Sequence, residues 1–414
     1  MTIRLQKTNL ASSWEMTTSN DTWILTKNAR IETSGMPGVY EANGIENSNI
    51  RILGDVKASG GGTYAVSFHD DSSSVYVGKA SHIDGRAAFA GVAMNGGGTE
   101  VVNHGLVQGG TIGVYGTAWG SVENHGTITG DTGVYFGDGG FEVVNHGLIR
   151  GGDYNAIGGE LAGSSIINEK GGVLRSLHEI TIELTGAGAG TIENHGLIKA
   201  PSGAIIDGIG DIEIINTGRI SGNVYMSDGN DTFDNRKGSM SGTVFGGDDG
   251  DTYYIGKSPV KIVEAVSEGY DYALSTVSYK LTANLESLQL LGKKDIDATG
   301  EQNANRLIGN SGDNVIRGLG GSDYIAGGAG RDALIGGSEG DTFHFAEKGG
   351  RDTIIDFEDH IDKIRIDGVI SQSGFDDLEI SDVKGGALIE YQGGEIFVKG
   401  MHAADFSWMD DFTI

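Results

Sequence analysis

The chain of 414 residues contains 72 glycines, 3 prolines and no cysteine, and it carries a formal net charge of −28. Glycine at this frequency excludes an ordinary helical protein, because a glycine in a helix interior costs about 1 kcal/mol relative to alanine. The absence of cysteine excludes disulfide, thiolate-zinc and thiol-nucleophile chemistry, and the negative charge disfavours nucleic acid and favours cations as partners.

Residues 1–45 match neither of the two repeats that follow and are assigned only as an N-terminal cap. Their first ten residues contain no apolar segment, which excludes an ordinary secretory signal but not export by another route. No stretch of the chain approaches the ~20 consecutive apolar residues of a membrane span, so we expect no transmembrane segment.

An asparagine recurs through residues 46–225 at spacings of 21, 21, 23, 26 and 22 residues. A β-branched residue stands two positions before each, so in an extended chain both point to the same face. A period of about 22 residues predicts one turn of a parallel β-helix with about three short strands. We expect the asparagines to form an inward hydrogen-bonded ladder. They are Asn103, Asn124, Asn145, Asn168, Asn194 and Asn216.

Four histidines directly follow ladder asparagines: His104, His125, His146 and His195. They are open to a metal-binding or catalytic interpretation, or to one in which they are outward corner residues of a duplicated repeat. We favour the corner interpretation, because a catalytic site needs different residues in complementary roles and a column of identical side chains does not supply them.

Two aspartates in residues 226–257, Asp231 and Asp251, each end a glycine-containing turn and lie 20 residues apart. Residues 258–304 then interrupt the repeats. Their alternating apolar residues predict β-strands, and we assign no chemistry to them.

Four nine-residue units run without a break over residues 309–344. Each begins with glycine, carries Asp or Asn at its sixth position and has an apolar residue at its eighth. The sixth-position residues are Asn314, Asp323, Asp332 and Asp341, and the apolar residues are Ile316, Ile325, Leu334 and Phe343. Two units would make one 18-residue turn, so that oxygen atoms of stacked turns converge. Ca²⁺ prefers 6–8 such oxygen ligands, often including backbone carbonyls.

These units resemble the G-G-x-G-x-D-x-U-x nonapeptide of the RTX, or hemolysin-type, calcium-binding family. The resemblance implies a parallel β-roll over residues 305–345 that binds Ca²⁺ between its turns. We expect Asp323 and Asp341 to share one ion at one edge, and Asn314 and Asp332 to contribute to the other edge. Backbone oxygens near Gly309, Ser311, Gly318, Gly320, Gly327 and Ala329 should complete the ligand sets. The same rule makes Asp231 and Asp251 a first pair of calcium turns, and residues 258–304 resemble an RTX spacer.

Residues 346–414 resemble the strands that close an RTX roll, and Asp410–Ile414 resembles the uncleaved type I secretion signal of that family. Residues 226–414 contain 34 acidic and 16 basic residues, a net charge of −18. Acidity is therefore concentrated where calcium is expected to bind.

Together these patterns predict an all-β fold, a right-handed parallel β-helix continuing into an RTX β-roll. They favour a secreted calcium-binding protein with calcium-dependent folding and a structural or adhesive role, with extracellular polysaccharide or a cell surface as partner. One alternative is a polysaccharide lyase or epimerase on the β-helix, although no base, acid and carboxylate-neutralising group are seen together. Another is a cytosolic acidic scaffold without calcium, which the nonapeptides disfavour.

Overall fold

The computed structural model of the protein describes residues 2–61, 63–69, 71–206, 208–258, 260–346, 349–367 and 378–413. The described residues form an all-β parallel solenoid fold, as predicted, with one 3₁₀ turn at Ala403–Asp405 and one short α-helix at Trp408–Asp411. The chain divides into two compact units, Met1–Gly247 and Asp248–Ile414. No helix in the described part of the chain is long and apolar enough to cross a membrane.

The first unit is built from turns that each contribute strands to three parallel ladders. The first ladder consists of Ile3–Gln6, Thr22–Leu25, Asn49–Ile52, Ser74–Val77, Thr99–Asn103, Gly120–Asn124, Phe141–Asn145, Ser165–Asn168, Gly190–Asn194, Ile212–Asn216 and Thr232–Asp234. The second consists of Arg30–Ser34, Asp55–Ser59, His82–Ala87, Leu106–Gly109, Thr127–Gly130, Leu148–Gly151, Val173–Ser176, the first parts of Leu197–Ile206 and Arg219–Tyr225, and Ser239–Ser241. The third consists of Trp14–Met16, Val39–Glu41, Tyr64–Phe68, Ala90–Met94, Ile112–Gly116, Thr132–Phe136, Ile157–Glu160, Ile182–Thr185, the second parts of the same two long strands, and Thr243–Phe245.

The predicted β-branched positions form the core of this unit. Val101, Val122, Val143, Ile166, Ile192 and Ile214 are each at most 1% exposed. Each pairs in register with its equivalent in the next turn, for example Val122 with Val143. Full burial of such a side chain stabilises the fold by about 1.5–3 kcal/mol, so repetition of one inward residue per turn accounts for the register.

The asparagine ladder is confirmed. All six side chains are at most 1% exposed, and each Nδ2 donates to the Oδ1 of the next asparagine along the unit, at 2.8 Å in the five steps from Asn103 to Asn216. The ladder extends one step further than predicted, because Asn216 Nδ2 donates to Asn235 Oδ1 at 2.6 Å. A primary amide both donates and accepts, so identical side chains can satisfy one another in a column.

Replacing Asn145 with alanine should lower the free energy of unfolding by about 1–3 kcal/mol. The substitution removes the acceptor of the Asn124 Nδ2 group and the donor to Asn168 Oδ1, both of which are buried. Urea unfolding followed by circular dichroism in saturating calcium would measure the change. The control is Glu142→Ala on the same strand, whose side chain is exposed and whose effect should stay within about 0.5 kcal/mol. Equal effects of the two substitutions would contradict a stabilising ladder.

The second unit has two ladders. The first consists of Thr252–Ile255, Tyr272–Ser275, Ser287–Leu290, Arg306–Ile308, Tyr324–Ala326, Thr342–Phe345, Lys363–Ile366 and Phe412–Thr413. The second consists of Tyr279–Lys280, Ala298–Thr299, Val315–Gly320, Ala333–Ser338, Gly350–Ile354 and Gly394–Lys399, followed by the antiparallel strands Gly386–Tyr391 and Glu379–Val383. A further strand is Lys261–Val263. The apolar eighth residues of the nonapeptides, Ile316, Ile325, Leu334 and Phe343, are fully buried, as predicted.

Candidate calcium sites

The sixth residue of each nonapeptide immediately precedes a strand, and its side chain spans two turns. Asp341 Oδ1 accepts a hydrogen bond from the backbone N–H of Asp323 at 2.8 Å. At the other edge, Asp332 Oδ1 accepts from the N–H of Asn314, also at 2.8 Å. The structure therefore pairs these four residues across the two edges in the combination expected from the sequence. Their ligation of calcium stays a prediction.

One oxygen of each of three aspartates is left without a hydrogen-bond partner. The side chains of Asp323, Asp332 and Asp341 are 2%, 2% and 1% exposed, and the Oδ2 atom of each is buried and accepts no hydrogen bond. A buried acceptor without a donor costs about 1–3 kcal/mol, and more when it is charged. In the ionised state these carboxylate oxygens need a cation, and without one the groups must take up protons.

Glycine at the first position of each unit leaves room for these oxygens. A Cβ placed on Gly318 would lie 1.9 Å from Asp323 Oδ2 and 2.4 Å from the carbonyl oxygen of Gly336. A Cβ on Gly336 would lie 2.1 Å from Asp341 Oδ2, and one on Gly327 would lie 2.4 Å from Asp332 Oδ2. The first glycine is therefore required by the close approach of a carboxylate, and in the first case of a backbone carbonyl as well.

The donor set fits Ca²⁺, which is bound by hard carboxylate and carbonyl oxygens. The same arrangement occurs at Gly309. A Cβ placed there would lie 2.0 Å from the carbonyl oxygen of Gly327 and 2.5 Å from Asn314 Oδ1. Asn314, Asp323, Asp332 and Asp341, with the carbonyls of Gly327 and Gly336, would hold the ions. The carbonyl of Gly336 was not among the predicted ligands.

Three other predicted backbone ligands face the preceding turn. The N–H of Gly320 donates to Glu301 O at 3.4 Å, the N–H of Ala329 donates to Asn310 O at 3.1 Å, and the hydroxyl of Ser311 donates to the carbonyl of residue 292 at 3.4 Å. These residues lie in the glycine-rich turns, and the role of their carbonyl oxygens as ligands stays a prediction.

A fifth unit precedes the four that the sequence analysis identified. A Cβ placed on Gly300 would lie 2.5 Å from Asn305 Oδ1 and 2.6 Å from the carbonyl oxygen of Gly318, an arrangement like that at Gly309. Asn305 also donates its N–H to Asp323 Oδ1 at 2.7 Å. Counting nine residues back from Gly309 reaches Gly300, with Asn305 at the sixth position, so the spacing contained this signal although most of the glycines are absent.

Asp231 and Asp251 are both buried, and the boundary between the two units falls between them. Asp231 Oδ1 accepts from the N–H of Ile212 at 2.7 Å in the first unit. In the second unit the N–H of Asp251 donates to Asp271 Oδ1 at 2.8 Å. Asp231 thus spans two turns through its side chain, as the nonapeptide aspartates do, and Asp251 does so through its N–H, while their role as calcium turns stays a prediction.

A buried carboxylate cluster includes residues of the segment to which we assigned no chemistry. Ligand oxygens of Asp251, Glu264 and Asp271 all lie within 4.8 Å of one another, and the hydroxyl of Tyr253 donates to Asp251 and to Glu264. The sequence analysis missed Glu264 and Asp271 because the spacing of acidic residues in 258–304 follows no nine-residue count.

Burial raises the pKa of the turn aspartates. It raises the pKa of Asp323 and of Asp341 to about 7 and that of Asp332 to about 6, against the opposing effect of their backbone hydrogen bonds. Neighbouring carboxylates add to the increase, including Asp341 for Asp323. Without a cation these side chains therefore carry protons at pH values where aspartate is normally ionised.

The stability of the second unit should fall as the pH rises when calcium is absent and should change little with pH in saturating calcium. An unfolded aspartate has a pKa of about 3.9, so between pH 4 and 7 the calcium-free folded state binds more protons and loses stability as the pH rises. Calcium requires the ionised carboxylates, so in saturating calcium neither the folded nor the unfolded state binds these protons between pH 5 and pH 8, and stability should change little over that range. Thermal unfolding at both pH values in calcium-free and calcium-containing buffers would measure this. An equal loss of stability from pH 5 to pH 8 in both buffers would contradict it.

The fold and these sites define a calcium-binding β-solenoid protein. Residues 299–343 match the family model of the RTX calcium-binding nonapeptide repeat in four copies, and the match begins at the fifth unit described above. No curated protein matches the chain. The protein is therefore of the RTX type, with a β-helix region.

Proposed function

We propose that the protein is secreted, that its C-terminal half folds on binding calcium, and that it has a structural or adhesive role outside the cell. The observation that carries this proposal is the set of three buried, unpartnered Oδ2 atoms at Asp323, Asp332 and Asp341, each held next to a glycine. When ionised, these oxygens require a cation in the folded state, and no such site can exist in the unfolded chain.

Calcium concentration then controls folding. A net charge of −18 over residues 226–414 opposes compaction, and binding that requires the folded turns adds its free energy to folding. Extracellular calcium modules typically have a Kd of about 10⁻⁴–10⁻³ M. Such sites are empty at the much lower calcium concentration inside a cell and filled outside it.

The segment that resembles a secretion signal packs against the roll once the roll has folded. Phe412–Thr413 pairs with Lys363–Ile366, and Asp411 is fully buried. Its Oδ1 accepts from the N–H of His360 at 3.1 Å and its Oδ2 from the N–H of Ser407 at 2.6 Å. Export of the calcium-free chain, before this packing forms, is consistent with type I secretion.

A structural role is favoured over the lyase or epimerase alternative by the composition of a cleft on the first unit. This open cleft of about 510 Å³ is lined by Trp119, Ser121, Phe141, Glu142 and Ser165 together with Ala162 and three glycines. It offers one carboxylate, whereas those reactions need an acid, a base and a group that neutralises the substrate carboxylate. An acidic polysaccharide would also meet a negatively charged protein, so a neutral extracellular polysaccharide or a cell surface is the better partner.

The test is a calcium titration of the full chain followed by circular dichroism. Calcium should increase the β-sheet signal of the wild-type protein, and the double variant Asp323→Asn/Asp341→Asn should require at least about tenfold more calcium. The control is Glu379→Gln/Glu390→Gln, which removes two exposed charges from the antiparallel strands and should titrate like the wild type. A spectrum independent of calcium, or equal effects of the two double variants, would contradict the proposal.

A further inference from the structure

The residues that follow the ladder asparagines form a continuous ridge on the surface of the first unit. We call the histidine ridge the five residues His104, His125, His146, Glu169 and His195. The last four donate their backbone N–H to the carbonyl of an asparagine one turn earlier, at 2.7–2.9 Å, so they occupy equivalent positions in successive turns. The outward orientation predicted for the histidines is confirmed, since all four side chains are at least partly exposed.

Three of these imidazoles stack in register. The ring centroids of His104 and His125, and of His125 and His146, are 4.4 Å apart, with interplanar angles of 1° and 2°. Glu123 stands beside the stack, and its Oε1 is 2.7 Å from His125 Nε2. Ligand atoms of Glu123, His125 and His146 all lie within 4.8 Å of one another. Two imidazole nitrogens and one carboxylate oxygen are therefore close neighbours on the ridge.

We propose that Glu123, His125 and His146 bind a divalent transition-metal ion of the zinc type. Imidazole nitrogens and a carboxylate oxygen bind Zn²⁺ at about 2.0–2.2 Å, and the ion would replace the hydrogen bond between His125 and Glu123. His125 and His146 are exposed and Glu123 is partly exposed, so their side chains can rotate out of the ring stack to bring the three donors onto one ion without disturbing the core.

This site differs in chemistry from the calcium sites. Ca²⁺ takes oxygen ligands, whereas two of the three donors here are nitrogens, which zinc, copper and nickel prefer. Three protein ligands leave a fourth position of a tetrahedral ion open to water or to an external ligand. The first unit would thus bind a second class of metal at a surface position, with no role in folding.

The sequence supplies a matched control in the same ridge. His195 also has a glutamate nearby, since its Nε2 is 3.5 Å from Glu193. Its neighbours in equivalent positions are Glu169 and Thr217, and its Nδ1 is 2.6 Å from the Thr217 hydroxyl. It therefore lacks the second imidazole that completes the site at His125.

The experiment is isothermal titration of the full chain with ZnCl₂ in saturating CaCl₂, with Co²⁺ absorption as a second readout of coordination. One zinc site is expected in the wild type, and His125→Ala, His146→Ala and Glu123→Gln should each weaken it at least about tenfold. His195→Ala should leave the affinity unchanged, and circular dichroism should show all variants folded. No zinc binding, or the same loss in His195→Ala as in His146→Ala, would overturn the proposal.

Discussion

Limited proteolysis of the full chain should cleave residues 226–414 rapidly in the presence of a calcium chelator and leave them protected in millimolar calcium. The region contains 16 lysines and arginines, which provide sites for trypsin throughout it. Without calcium, the buried carboxylates of Asp323, Asp332 and Asp341 must either be protonated or be left as uncompensated charges. Near pH 7 both the protonated and the uncompensated ionised form make folding less favourable. Calcium binding would instead add a favourable free energy to folding.

The first unit serves as an internal control in the same digest. Within residues 1–225 the asparagine ladder from Asn103 to Asn216 is hydrogen-bonded without an ion, so these residues should resist the protease in both conditions. Mass spectrometry of the fragments would separate the two regions. Equal protection of residues 226–414 with chelator and with calcium would mean that the roll is stable without metal, and the proposed link to export would then be wrong.

Each unit contains a column of buried polar side chains, and the hydrogen-bonding groups of the two columns are satisfied in different ways. An asparagine amide has both a donor and an acceptor, so Asn124 can accept from Asn103 and donate to Asn145. An ionised aspartate only accepts. Asp341 Oδ1 accepts the N–H of Asp323, but its Oδ2 has no donor in the turn. A column of asparagines therefore satisfies its own hydrogen bonds, whereas a column of ionised aspartates leaves acceptor oxygens for a cation.

The features that could be predicted from the sequence are those that repeat at a fixed interval. Constant spacing placed the asparagines inward and paired Asp323 with Asp341, because stacking of identical turns leaves one arrangement for identical residues. Asn235 was missed because its turn has Phe-Asp before the asparagine, where the other copies have β-branched residues or glutamate. The carboxylate cluster at Glu264 and Asp271 was missed because it is assembled from turns of unequal length, which no period describes.

The identity of the partner groups was harder to predict than the position of the aspartates. The predicted backbone ligands lie in the first three units, but the carbonyl that converges with Asp323 belongs to Gly336, the first residue of the fourth unit. That contact depends on how closely two turns stack and on the space left by Gly318. Such distances follow from packing in three dimensions and are not contained in the spacing of residues along the chain.

Gly318→Ala should raise the calcium concentration needed for folding at least about tenfold, equivalent to ~1.4 kcal/mol, whereas Gly320→Ala should change it by less than about twofold. A methyl group on Gly318 would lie 1.9 Å from Asp323 Oδ2 and 2.4 Å from the backbone oxygen of Gly336. The carboxylate can rotate away, but it then leaves the site, and the backbone oxygen can move only with its turn. Gly320 is equally buried, yet the nearest atoms to a Cβ there are 3.4 Å away, an ordinary contact.

The two substitutions make a controlled pair, because they add the same methyl group two residues apart in one turn and both keep the backbone carbonyl. Calcium titrations of the two variants, followed by circular dichroism, would measure the midpoints. A large shift for Gly320→Ala and none for Gly318→Ala would mean that the ion is bound by the carbonyls near Gly320 and not between Asp323 and Gly336. Equal shifts would mean that any methyl group in this turn disturbs its stacking, so that the first glycine has no special relation to the calcium site.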